Sequence, residues 1–214
     1  MCKRLICLFL GVLILGFVVG AASGQPLQQD PGPDGIVSVE AENFDENIPR
    51  EPHTWELITE VADGYVPPDG FSGGFAMQNT PTTLAGGSGR NDPADFLANS
   101  PRLDFQIEFV HTGIHYVWIL GYGMDGNSDS LHSGLDGEHV ATADRISLAS
   151  GTLTWRNIAY EDPERIMIEV DTPGLHTFNL WMREDGATVD KIVLTTNPNF
   201  TTFFIIPSWL YSQA

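Results

Sequence analysis

Three features of this chain predict an all-β fold, an antiparallel β-sandwich or jelly roll. Short stretches alternate apolar with polar residues, and Gly, Pro and Asp turns recur at intervals of about ten residues. No stretch shows a convincing 3.6-residue period, and there is neither an internal repeat nor a second domain.

The chain opens on Met1-Cys2-Lys3-Arg4, a short basic start, followed by a nearly unbroken apolar run over residues 5–19 and small residues at 20–24. This pattern reads as a secretory signal peptide over residues 1–24 and places the protein outside the cell or in a periplasm. The run is shorter than the roughly 20 residues that span a bilayer, so an uncleaved anchor is the weaker alternative. No Cys stands among the small residues, which argues against a lipoprotein. Both cysteines, Cys2 and Cys7, fall inside the signal, and the 190 residues left of 214 contain none. Disulfides and thiolate metal sites are therefore excluded from that part.

Loss of Lys3 and Arg4 with the signal takes the formal net charge from −18 to −20. So acidic a surface repels phosphate backbones and anionic membranes, making nucleic acid a poor partner, and it attracts divalent cations.

Residues 25–35 are rich in Pro, Gly, Gln and Asp and read as a flexible leader to a domain over residues 36–198. The first strand is Val37-Ser38-Val39-Glu40-Ala41-Glu42-Asn43, in which Glu40 and Glu42 share a face by the two-residue strand period. Two side-by-side carboxylates repel unless water, a proton or a cation relieves them. Two readings fit: a cation site, or an edge strand with hydrated acids.

Residues 43–53 read as loop and 54–59 as a short strand. The next 63–74 form a Gly/Pro/Asp-rich excursion, 75–78 a strand, and 81–102 a second long loop containing Gly86-Gly87-Ser88-Gly89. Strict alternation over 103–109, a Thr112-Gly113 turn and a β-branched and aromatic run over 114–122 make two consecutive strands. Asp136-Gly137 between residues 131–135 and 139–143 signals a hairpin. Residues 165–170, a Pro173-Gly174 turn, 175–182, an Asp185-Gly186 turn and 188–195 complete the strands. The tail, residues 199–214, is strongly apolar through Phe203-Phe204-Ile205-Ile206 and Trp209-Leu210-Tyr211. It either packs on the sheet, contacts a partner protein, or continues into a longer chain.

Several motifs carry less than their patterns suggest. Gly70-Phe71-Ser72-Gly73-Gly74 fits the G-x-S-x-G elbow but lacks the strand before it and the helix after it, so turn chemistry is the better reading. Gly121-Tyr122-Gly123-Met124-Asp125-Gly126 fits G-x-G-x-x-G without a helix to follow. Asp125-Gly126-Asn127-Ser128-Asp129 resembles the start of a calcium loop, yet Ser130 replaces its glycine, and a solvated turn fits better. His111, His115, His132 and His139 lack catalytic-zinc spacing. Arg183-Glu184-Asp185 reads as local ion pairs at a turn, each worth about 0–1 kcal/mol if exposed.

With the strands placed, the chain resembles the carbohydrate-binding modules of families 6 and 35, which share the galactose-binding-like jelly roll. The resemblance rests on Val39-Glu40-Ala41-Glu42, on Thr172-Pro173-Gly174-Leu175-His176-Thr177, and on Val189-Asp190-Lys191-Ile192-Val193-Leu194. Ser128-Asp129-Ser130 through Leu135-Asp136-Gly137, with Trp181-Met182-Arg183-Glu184-Asp185-Gly186, looks closer still to the C-terminal module of family 115 glycoside hydrolases. The resemblance implies a structural calcium ion joining the first and last strands, held by Glu40, Glu42 and Asp190. It also implies a sugar site near Phe75, Trp155 and Thr188, where flat rings cover a pyranose face and a polar group reads its hydroxyls. Thr188 departs from the Asn usual at its position, and its hydroxyl offers fewer hydrogen bonds than an amide.

The expected function is a secreted, non-catalytic polysaccharide-binding module with a structural calcium. The alternatives are a structural or adhesive module that binds protein, using the apolar tail, and a small polysaccharide-active enzyme on the same fold.

Overall fold

The computed structural model describes residues 25–82, 89–160 and 164–202. The signal peptide read over residues 1–24, Gly86-Gly87-Ser88 and the tail from residue 203 onward lie outside the described residues.

In chain order the strands are β1 (Leu27–Gln28), β2 (Val37–Glu40), β3 (Glu46–Ile48), β4 (Thr54–Ile58) and β5 (Ala76–Thr80). After a helix, α1 (Pro93–Asn99), come β6 (Arg102–Phe109), β7 (Gly113–Tyr122), β8 (Ser130–Leu135), β9 (Glu138–His139) and β10 (Ile146–Ser147). The last are β11 (Thr154–Arg156), β12 (Met167–Val170), β13 (Gly174–Met182) and β14 (Thr188–Thr195). They form two seven-stranded sheets. One runs β1-β6-β13-β8-β10, with β3 beside β6 and β9 beside β8. The other runs β11-β7-β14-β5-β4, with β12 beside β7 and β2 beside β14. All pairings are antiparallel except β1 with β6.

The alternating residues of the long strands explain the sandwich. Leu103, Phe105, Phe178 and Leu180 of one sheet meet Val39, Val117, Ile119, Ile192 and Leu194 of the other in a single buried core. Central strand β14 is buried at every position, and a smaller second cluster gathers Tyr122 of β7 with Val61, Phe71 and Ala76. The hairpin at Asp136-Gly137 forms as expected. Both residues take positive φ, 53° and 81°, the backbone a two-residue turn between twisted strands requires.

The structure differs from the sequence reading in five places. The leader is not free: Leu27–Gln28 pairs with β6, and the buried Gln29 side chain accepts from the Val110 and His111 amides. The loop read over 81–102 contains α1, capped by the Asp92 side chain on the Ala94 amide and anchored by buried Phe96. Seven residues are too few to show a helical period. The loop read over 43–53 contains β3, and the arm after the hairpin is strand only to His139 before a turn over Ala141–Ala143. The first long strand ends at Glu40 and bends into a 3-10 turn over Ala41–Asn43, so strand alternation is not what aligns Glu40 with Glu42.

The hairpin also holds a titrating pair. His176 Nδ1 lies 2.7 Å from Asp136 Oδ2 and its Nε2 2.9 Å from the Thr172 carbonyl, so both ring nitrogens face acceptors. The bond to Asp136 raises the His176 pKa above its ordinary value. The stabilisation is therefore complete below the unfolded value of about 6.5 and is lost as pH rises through the folded one. Asp136→Asn is expected to lower the melting temperature more at pH 5.5 than at pH 8.5. The difference should not exceed about 1 kcal/mol, because Asp136 is half exposed and water screens the pair. Thermal melts at the two pH values check it.

Candidate functional site

The first long strand and the last meet at a box of charged side chains. Glu40 ends β2, and Lys191 of β14 stands directly across from it. A register shift between Val189 and Lys191 takes Asp190 out of the ladder to β7. The turn over Ala41–Asn43 carries Glu42, and a second 3-10 turn, Ser72–Gly74, closes over the group. The Ser72 amide donates to Asp190 Oδ2 at 3.0 Å, and its hydroxyl donates to Glu40 Oε1 at 3.0 Å. Gly73, at φ 69°, passes so close that a Cβ there would stand 2.8 Å from Glu42 Oε1. Glu40, Glu42 and Asp190 are thus brought beneath one loop.

The box is short of positive charge. Lys191 Nζ donates to Glu40 Oε1 at 2.7 Å and is the cation in contact with the acids; both partners are nearly buried. Glu40 Oε2, Glu42 Oε2 and Asp190 Oδ1 are buried without a hydrogen-bond partner. Burial, with the nearby Glu40 and Glu42 charges adding to it, pushes the Asp190 carboxyl up to about 7, and burial raises Glu42 as well. Three partnerless carboxylate oxygens on three residues suit a hard divalent cation such as calcium. Among the described residues, however, no three His, Cys, Asp or Glu side chains stand close enough to form a ready-made metal centre. Glu40 is instead turned toward Lys191 and Ser72 through its other oxygen. The donor set suits a hard cation by its chemistry, and an internal ammonium occupies one oxygen of Glu40.

Of the three residues expected at a sugar site, Trp155 and Thr188 lie on the sheet that carries the box, and Phe75 leads into it. Phe75 follows the Ser72–Gly74 turn, leads into β5 and is 41% exposed. Trp155 is half-buried in β11, paired with Leu120, which in turn pairs with Lys191. Thr188 opens β14 and is fully buried; its hydroxyl accepts from Gln78 Nε2 at 3.1 Å and points to the Gly186 carbonyl at 3.4 Å. Beside it Tyr122 stacks on Tyr65, with ring centroids 4.4 Å apart, and donates to Asp63 at 2.7 Å. Thr188 therefore offers no free hydroxyl at the surface.

Sequence reasoning missed the setting of Arg183-Glu184-Asp185, which is buried rather than exposed. Arg183 Nη1 bonds Glu184 Oε1 at 2.6 Å and Ser130 Oγ at 2.5 Å, its Nε bonds Asn91, and its guanidinium lies 5.3 Å from the Tyr160 ring centroid. Ser130 also donates to Glu184 Oε2, and Asp129, whose amide donates there too, is raised in pKa by burial. Ser72 and Lys191 were missed as members of the box. Signals for both were present: Ser72 sits in the Gly70–Gly74 glycine turn, and Lys191 is the one lysine beyond Lys3.

The model of the glycosyl hydrolase family 115 C-terminal domain matches residues 32–202. An uncharacterised protein designated P23, from Formosa agariphila, is 27% identical over 186 residues, 78% of this chain and 45% of that protein. The chain thus spans less than half the length of that curated relative. Among solved structures, the C-terminal family 6 carbohydrate-binding module of LamC, a marine laminarinase from Zobellia galactanivorans, is similar at 16% identity and a TM-score of 0.44. It covers 75% of this chain and 99% of that one. The family 35 module from Paenibacillus barcinonensis is similar at 16% identity and a TM-score of 0.46, covering 75% and 98%.

Gly73→Ala places a side chain at positive φ and against Glu42 Oε1. It is expected to cost about 1–3 kcal/mol of stability, read from chemical denaturation. A neutral result would show that the loop does not close on the acids as described.

Proposed function

The chain belongs to the glycosyl hydrolase family 115 C-terminal domain family, and on that premise we propose that it is a secreted, non-catalytic module that binds polysaccharide and holds a structural calcium ion. The observation that carries the calcium reading is the set of three buried, partnerless oxygens on Glu40, Glu42 and Asp190. Calcium supplies positive charge and oxygen coordination where the protein has too few donors. Because these acids join β2 to β14, the ion ties sequence-distant ends in the folded state alone. Secretion rests on the basic start, apolar run and small residues of positions 1–24.

Phe75 supports the carbohydrate reading, since its exposed ring stands at the end of the loop that caps the acids. A ring held between a bonded turn and a strand can cover the apolar face of a pyranose with little loss of side-chain freedom. Trp155 is the second contact assigned. Thr188 is buried with its hydroxyl bonded to Gln78 and Gly186, so no direct sugar contact is assigned to it.

Thermal melts with calcium and with chelator test the metal. Calcium at 100 times its dissociation constant stabilises by about 2.7 kcal/mol, which raises the melting temperature by about 5–10 °C in a domain of this size. Asp190→Asn should lose that rise. An unchanged melting temperature in the native protein removes the calcium assignment.

A polysaccharide-binding panel tests the other half. Binding to at least one polysaccharide, weakened about tenfold or more by Phe75→Ala, is the expected result. Silence of the folded protein across the panel overturns the binding reading, and release of reducing ends would replace it with an enzyme.

A further inference from the structure

The acid box holds an ammonium as well as acids, and this changes what a metal must do to enter. We infer that Lys191 is a built-in rival of the metal, holding Glu40 when the ion is absent and setting how tightly the site takes a divalent cation. The inference rests on the calcium reading for the place of the ion but concerns a residue to which that reading gives no role.

Four observations carry it. Lys191 stands opposite Glu40 in the β2–β14 register, so the two side chains leave the same face of the sheet. Its Nζ lies 2.7 Å from Glu40 Oε1 and 3.5 Å from Ser72 Oγ, so the ammonium is the link between the first strand, the last strand and the capping loop. Three carboxylates against one ammonium leave a formal charge of −2, with one unpartnered oxygen on each acid. On Asp190 and Glu40, both buried, those oxygens are closed off from solvent.

The fourth observation is room to move. Glu40 and Lys191 line the wall of a cleft of about 510 Å³ between β1 and β2, whose other polar lining includes Asp30, Ser38 and Asn43. A lysine is a compact charge on a flexible stem. When a metal draws Glu40 toward Glu42 and Asp190, the cleft gives the ammonium space to leave Glu40, and Asp30 in its lining makes that space acidic. With the metal absent, the ammonium keeps the box from carrying its full charge of −3. The domain therefore remains folded without the ion, and the lysine lowers the affinity for it.

Calorimetric titration of the purified protein with calcium chloride, paired with melts in chelator, tests this in the native protein and in Lys191→Met, Lys191→Gln and Lys191→Arg. The two neutral variants should melt lower in chelator, bind calcium at least tenfold more tightly, and gain more from calcium than the native protein does. Lys191→Arg should stay within about threefold of native affinity. Calcium binding by the neutral variants but not by the native protein would also support the rivalry, while overturning the calcium reading of the native chain. Equal or weaker binding by well-folded neutral variants, with calcium still bound by the native protein, would overturn the rivalry and leave that reading intact. Absence of binding in every form overturns both.

Discussion

A buried deficit of positive charge at the meeting of the first long strand and the last is the constraint on which the rest of this structure depends. Placing Glu40, Glu42 and Asp190 together costs desolvation and mutual repulsion. The chain offsets part of that cost with one ammonium, one hydroxyl and one backbone amide. All three come from the two segments that must be in place for the sandwich to close: β14, the central strand of its sheet, and the turn over Ser72–Gly74. The charge balance and the closure of the fold are therefore one problem.

The second polar centre solves its electrostatics differently. Around Arg183 a single guanidinium serves Glu184, Ser130 and Asn91 at once, while Ser130 and the Asp129 amide share the far oxygen of Glu184. Nearly every charge there has a partner within the protein, although Asp129 keeps one buried oxygen free. A planar fork of donors suits this closed arrangement, whereas the box at β2 and β14 uses a lysine, whose single charged centre leaves oxygens over. The contrast separates a network whose oxygens are nearly all bonded from one that leaves an oxygen unpartnered on each of three acids.

Much of this was legible in the residues. Alternation over residues 103–109 marked β6, a β-branched and aromatic run over 114–122 marked β7, and Asp136-Gly137 fixed the hairpin because few other dipeptides accept positive φ twice. The two-residue strand β1 and three-residue strand β3 were not legible, since so short a segment has no period and is held by partners distant in sequence. The helix α1 announced itself only through Asp92-Pro93, a cap and first-turn pair in a stretch otherwise like a loop. At the box the three acids named from the sequence do come beneath one loop, though not by the strand alternation read there. Glu40 and Glu42 are aligned by a bend at Ala41 and by the cover of Gly73, features that only packing reveals.

The loop over residues 59–75 joins the electrostatic part of the molecule to its aromatic part. At one end Val61 and Phe71 pack with Tyr122, and Asp63 accepts from the Tyr122 hydroxyl. At the other end Ser72 is bonded to both Asp190 and Glu40, and three residues later Phe75 turns outward. A segment pinned so near an exposed ring restricts where that ring can sit, and a ring already in position loses less freedom when a ligand covers it. In the proposed reading, then, the cation in the box and the sugar on Phe75 share this loop. Whatever tightens the grip of the acids on Ser72 also prepares the surface three residues away.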